Sequence, residues 1–445
     1  MRKIGRALVL MATAAVAAGI TVPAVAVTAG HGPGHRPAVA SASEPGESVA
    51  FVPGTGQSVA DWNHELITIL GTKGAQPATV HPTRSFALLQ AAEYDAVTSI
   101  THAAPPYLFS VRAWRGARPD AAADQAAHDV LTALYPAQRG AFDQLLAGEF
   151  AAIPGNRGKQ QGIAVGETVA ARLIGIRSTD GSAAVPPPFV AGTEPGDYQP
   201  TPPNFPAPVF TNWGSIKPFV LRSGSQFRPA PPPPITSAAY ARVLNQVRSL
   251  GQDSSTTRTA DETTFAKFWG AAPIWNVWNE IAQKLVVTRH ASLEQAVTVF
   301  ANLDLAVADA TIGMYDAKYH YLVWRPVTAI RAGSTAGNPG IVSDPGWNPL
   351  AVTAADPSYP GAHATISQAA ATILSAFYGN HQWLTVSSDG DPGVTRTFHS
   401  FQAAADEATL SRLFAGQHTL IDLVAGQQLG RHVASFVLQD LESAR

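Results

Sequence analysis

The stretch that decides the fold runs from Ser292 to Trp324: SLEQAVTVFANLDLAVADATIGMYDAKYHYLVW. Leu293, Val297, Phe300, Leu303, Val307 and Met314 recur at three- and four-residue spacing, the period of a helix and not the alternation of a strand. The same period extends outward in both directions. Upstream, VADWNHELITIL (59–70) puts Val59, Trp62, Leu66 and Leu70 on one face, and Pro82 is placed to start the next helix. Ala-rich segments follow at 120–135, 139–153 and 162–178, and more at 236–251, 260–270 and 274–287, separated by short Pro/Gly breaks. Downstream, one helix follows Pro360 and another covers QAAADEATLSRLFA (402–415). No strand-like alternation of any length competes, and no fixed-period repeat is present. The expected fold class is all-α, built as packed helical bundles.

One segment breaks the pattern. Residues 179–235 are dense in Pro but carry Phe189, Tyr198, Phe205, Phe210, Trp213 and Phe219, which pure linkers lack. This Pro-rich part reads as a long ordered excursion packed over the helices, with room for short strands, and positioned to wall a site. The expected organisation is a signal peptide at 1–26, a flexible tail at 27–57, an N-terminal helical region at 58–178, the excursion at 179–235 and a C-terminal helical bundle at 236–445.

Composition bounds the function. The 445 residues are 46% hydrophobic and 14% charged, enough for a large core, and a net charge of −2 gives no basic surface for nucleic acid. Arg2, Lys3 and Arg6 precede the apolar run Ala7–Val22 and the small-x-small site Ala24-Val25-Ala26, the pattern of a secretory signal. Its removal takes three of the 30 Lys and Arg and leaves 27 against 32 Asp and Glu. No later apolar run reads as a bilayer span, so the expectation is a secreted, extracellular protein without stable membrane insertion after signal removal. There are no cysteines, which excludes disulfides, thiolate nucleophiles and Cys-based zinc sites.

Three clusters could do chemistry. In KYHYLVWRP (318–326), Lys318 and Arg325 are seven residues apart, nearly two helical turns, so a continuing helix would put both cations on one face; Pro326 would end it. In DPSYPGAHATIS (356–367), a turn leads into a helix whose first-turn N–H groups suit an anion, with His363 in that turn. In SRLFAGQHTLID (411–422), His418 and Asp422 are i and i+4, with Arg412 nearby as a third cation. Each alone has a plain alternative: a solvated cationic face, a turn histidine bonded to backbone, a surface His/Asp pair. Elsewhere, HELIT at His64 is not a zinc-protease motif, SSDGDPG at Ser387 reads as a turn and not a calcium loop, and no G-x-S-x-G or P-loop is present.

Together the clusters resemble the signature of the acid phosphatase/vanadium haloperoxidase superfamily, K-x6-R-P, P-S-G-H and S-R-x5-H-x3-D in that order. WGSIKPFVLRSGSQFRP (213–229) and FWGAAPIWNVWNEIA (268–282) are similar to soluble bacterial haloperoxidase-related members. The resemblance implies that Lys318, Arg325 and Arg412 neutralise oxyanion oxygens and that His418 is the apical group. It would bind the metal of vanadate, or attack phosphorus to form a phosphohistidine. His363 would be the acid/base and Asp422 would orient His418. The chain departs from the pattern at Gly361 and Ala362, where the family has Ser-Gly. A hydroxyl is missing there, and the backbone N–H of Gly361, in a turn geometry open to glycine, is expected to serve instead. Three functions follow as expectations. The first is a secreted haloperoxidase with vanadate as cofactor and halide and hydrogen peroxide as substrates. The second is a secreted acid phosphatase on phosphomonoesters, with no cofactor. The third is a non-catalytic relative that binds an anion or partner. The long helical region before the motifs favours the first.

Overall fold

The computed structural model describes residues 54–388 and 390–443. The expected signal peptide, and the tail up to residue 53, lie outside them. Among the described residues the chain is helical, with one two-stranded hairpin.

Five helices form the N-terminal part: α1 (Gln57–Gly71), α2 (Thr83–Thr101), α3 (Pro119–Leu134), α4 (Arg139–Ala152) and α5 (Arg157–Arg177). They follow the apolar spacings, and α2 is buried along nearly its whole length because α3 and α5 cover it on one side. The second set is α6 (Ala238–Leu250), α7 (Ala260–Ala271), α8 (Ile274–Thr288), α9 (Leu293–Tyr321), α10 (Pro326–Arg331), α11 (Ala362–Tyr378), α12 (Phe401–Phe414) and α13 (Leu420–Ser443). β1 (Leu384–Ser387) and β2 (Thr395–Phe398) pair antiparallel, Leu384 opposite Phe398.

α9 is the axis. Ser292 caps it with a reciprocal Ser292–Gln295 box. It packs against α2 on one side and α11 and α13 on the other, so one apolar core runs from Val59 and Ala87 through Val307 to Ala369 and Val433. By length and composition α9 could cross a bilayer, contrary to the sequence expectation, but 94% of its apolar window is buried within the protein. The α11–α13 contact is close because of Gly426: a Cβ there would lie 2.6 Å from the Gly361 carbonyl oxygen.

The excursion between α5 and α6 lies on the helices. Asp309 of α9 pins it by accepting the backbone N–H groups of Phe219, Val220 and Leu221 at 2.6, 2.7 and 2.7 Å. Short strands do not form there. The extended pairing is a single bridge between Asp197 and Val323, flanked by Tyr198 N–H donating to the Leu322 carbonyl at 2.6 Å. That bridge brings the excursion against the segment joining α9 to α10.

Candidate active site

Lys318 and Arg325 do not share a helix. α9 ends at Tyr321, and Leu322 turns the chain in the left-handed region (φ 50°). Pro326 does not end a helix; it begins α10, and Arg325 is the extended residue before it (φ −82°, ψ 154°). The physical reason is the proline ring, which disfavours helical backbone in the preceding residue and suits the first helical position. The turn nevertheless brings both side chains to one buried point, Lys318 at 0% and Arg325 at 1% exposure.

They meet at Asp356. Lys318 Nζ donates to Asp356 Oδ1 at 3.1 Å and to the Pro357 carbonyl. Arg325 Nε donates to the Asp356 carbonyl at 2.7 Å, and its Nη2 to Asp356 Oδ1. Burial raises the Asp356 carboxyl, but the two cations outweigh it and hold it down at about 2. Burial pushes Lys318 down to about 8 against the opposing pull of Asp356, so it stays charged at neutral pH.

The third motif supplies the other side. Arg412 is in the last turn of α12, and Gly416 (φ 75°) turns the chain out of it; the conformation favours glycine, and a Cβ there would lie 2.5 Å from the Gly251 carbonyl oxygen. His418 and Thr419 precede α13, so His418 and Asp422 do not lie one turn apart on a helix as the spacing suggested. Arg325 Nη1 lies 3.1 Å from His418 Nε2. A guanidinium only donates, so Nε2 carries the lone pair and Nδ1 the proton. Asp422 Oδ2 stands 3.6 Å from Nδ1, outside hydrogen-bond reach. Ser358 connects them: its Oγ lies 3.4 Å from Nδ1 and donates to Asp422 Oδ2 at 2.9 Å. Asp422 also accepts from Thr419 N–H at 2.7 Å and its hydroxyl at 3.1 Å, capping α13. Burial raises the Asp422 carboxyl, and these donors oppose the rise.

His363 lies in the first turn of α11, as expected. Its Nε2 lies 2.9 Å from the Trp269 carbonyl of α7, so Nε2 bears the proton and Nδ1 the lone pair. Burial, then Arg412, hold His363 well below the usual imidazole range; burial, then Arg325, Lys318 and Arg412, do the same to His418. Arg412 is 8% exposed, its Nη1 is buried without a hydrogen-bond partner, and burial and Arg325 lower it to about 10. Among the described residues no carboxylate pairs with it.

The Gly361 N–H, expected to face an oxyanion, donates instead to the Asp422 carbonyl at 2.9 Å. Its backbone (φ −75°, ψ 127°) is open to any residue, so glycine is not there for its conformational freedom. A Cβ would lie 3.2 Å from Leu423 Cδ2, so the close α11–α13 contact takes up the space of the absent serine. Ala362, half-buried, is the first residue of α11, and its N–H has no partner within the helix. Sequence reasoning named Lys318, Arg325, His363, Arg412, His418 and Asp422, and the structure places them around one centre. It missed Asp356, Ser358 and the Trp269 carbonyl. The signal for the first two was present, since both lie within the quoted DPSYPGAH.

Residues 298–444 match the family described as the VCPO second helical-bundle domain. This C-terminal bundle belongs to the vanadium haloperoxidase superfamily. The fold is that of vanadium haloperoxidases beyond the matched bundle. A bacterial vanadium-dependent iodoperoxidase superposes with a TM-score of 0.76 at 24% identity, over 87% of this chain and 97% of its own. A holo-type bacterial vanadium-dependent chloroperoxidase superposes with a TM-score of 0.67 at 14% identity, over 89% of this chain and 99% of its own. No curated protein sequence matches the chain.

The residues present fit vanadate. Three cations surround the centre, one guanidinium nitrogen is unpaired, and His418 Nε2 holds the lone pair that a metal requires.

Proposed function

We propose that the protein is a secreted vanadium-dependent haloperoxidase, using hydrogen peroxide to oxidise a halide. The observation that carries the proposal is Arg412, a buried guanidinium whose Nη1 has no partner inside a cationic cage. A buried unpaired cation is costly, and an oxyanion offsets that cost. The superposition on peroxidases across both bundles supports peroxidase over phosphatase chemistry.

Lys318, Arg325 and Arg412 would hold the oxygens of vanadate, and His418 Nε2 would bind its metal. When bound, vanadate would supply Lewis-acid activation of peroxide. The protein's part is to hold that charge and move protons. Ser358, itself held by Asp422, receives His418 Nδ1 and orients the ring, while Arg325, whose Nη1 faces the Nε2 lone pair, would turn that N–H to the anion. His363 is kept neutral with Nδ1 as acceptor, so it can take a proton from peroxide and return it to the leaving oxygen. Residues 1–26 support export.

The test is two assays on one preparation: halogenation of a dye with peroxide, iodide or bromide, with and without vanadate, and hydrolysis of a phosphomonoester. Vanadate-dependent halogenation supports the proposal. Hydrolysis inhibited by vanadate, without halogenation, would assign a phosphatase.

A further inference from the structure

The superfamily signature does not contain Asp356, and the proposed chemistry does not use it. Yet its carboxylate stands inside the cation cluster. Oδ1 takes Lys318 Nζ at 3.1 Å and Arg325 Nη2, and Oδ2 accepts from the Tyr315 hydroxyl at 3.4 Å. At 6% exposure it is not screened by solvent. Two of the three cage cations are therefore already paired within the chain, and Arg412 is the one left open.

The charges around the centre can be counted. Lys318, Arg325 and Arg412 contribute +3; Asp356, paired with two of them, and Asp422, whose Oδ2 accepts three hydrogen bonds, contribute −2; His418 is neutral because a guanidinium donor faces its Nε2, and His363, beside Arg412, is neutral too, for a sum of +1. Without Asp356 the sum would be +2. A tetrahedral monoanion brings the cage to neutrality, whereas a dianion leaves a net negative charge out of reach of water. His81, buried and within the field of Asp356, is held near 3 by burial and adds no charge.

We infer that Asp356 is a specificity-determining residue: an internal counter-charge that matches the cage to singly charged tetrahedral oxyanions and disfavours doubly charged ones. Phosphomonoesters at neutral pH fall largely in the disfavoured class. The inference rests on reading the cage as an oxyanion site. One further unit of charge about 5 Å from Asp356, at the effective dielectric of a protein interior, changes affinity roughly 10-fold to a few hundredfold.

The test is calorimetric titration of the full chain at pH 7 with two tetrahedral probes, the monoanion perrhenate and the dianion molybdate. Asp356→Asn is expected to shift the affinity ratio toward molybdate by roughly tenfold or more, and Asp356→Glu to keep the wild-type ratio. If the Asn variant fails to fold, Asp356→Ser makes the same comparison. An unchanged ratio in the neutral variant, or the same shift in the Glu variant, would overturn the inference and leave the oxyanion cage standing. Binding of neither probe to wild type or variants would overturn the cage and the inference together. Loss of halogenation with binding intact would touch only the proposed reaction.

Discussion

Arg412 offers a trade between stability and function that can be measured. Its charge is buried, unpaired at Nη1 and beside Arg325, and together these lower it from its ordinary value to about 10. That difference corresponds to roughly 3 kcal/mol of penalty on the charged form in the folded protein. Arg412→Met keeps the length and apolar stem and removes the charge. In a body of this size each kcal/mol moves Tm by roughly 1 °C, so the ligand-free variant should melt roughly 3 °C above wild type, less whatever packing is lost. Vanadate at 100 times its dissociation constant should raise wild-type Tm by a similar roughly 3 °C, through about 2.7 kcal/mol of mass-action stabilisation. The variant should show almost none of that rise. Scanning calorimetry with and without vanadate reads both effects. A variant that melts below wild type and keeps the full vanadate shift would refute the reasoning.

Three more expectations follow from the same geometry. His363→Gln should lower halogenation turnover by about 100-fold or more while leaving the vanadate-induced Tm shift unchanged, because its role is proton transfer and not anion binding. Asp309→Ala should strand three N–H donors of the excursion, two of them in buried residues, cost roughly 3–5 kcal/mol, and open residues 179–235 to limited proteolysis. Glu93 (buried, both carboxylate oxygens unpaired), Asp124, Glu149 and Asp304 form a buried acidic group raised chiefly by burial, Asp124 to about 7, Asp304 to about 8 and Glu149 to about 9. Raised carboxyls favour the protonated folded state. Their contribution is therefore complete below the ordinary carboxylate range and is lost as pH climbs toward 9. Melting temperature should fall over that window, and Glu93→Gln should melt above wild type at pH 9 but not at pH 5.

Helices were the most legible part of the sequence, because apolar spacing in α1, α2 and α9 survives any choice of partner. The six ionisable site residues were legible for a different reason: three clusters with fixed internal spacing constrain one another. Other features left weaker marks. Seven residues between Lys318 and Arg325 suggested one helix face, and the left-handed turn at Leu322 carries no signal in a leucine. The carbonyl of Trp269 that orients His363 is a group every residue owns, so no residue type announces it. Asp356 and Ser358 read as turn formers beside prolines, the commonest role for such residues, and only their burial reveals the second one. The β1–β2 hairpin is four residues a side, too short for alternation to stand out.

α9 has a consequence for assembly. Its apolar surface is covered from one side by a helix that begins at residue 83 and from another by one that begins at residue 420. A chain emerging N-terminus first therefore holds that surface uncovered until the last two dozen described residues arrive. The cage is equally late, since His418 stands just before that final segment and the Asp422 cap lies within it. Folding around α9 is non-local by construction, which slows it and exposes a sticky intermediate. Shortening the chain at the α13 end should therefore aggregate the protein before it merely inactivates it.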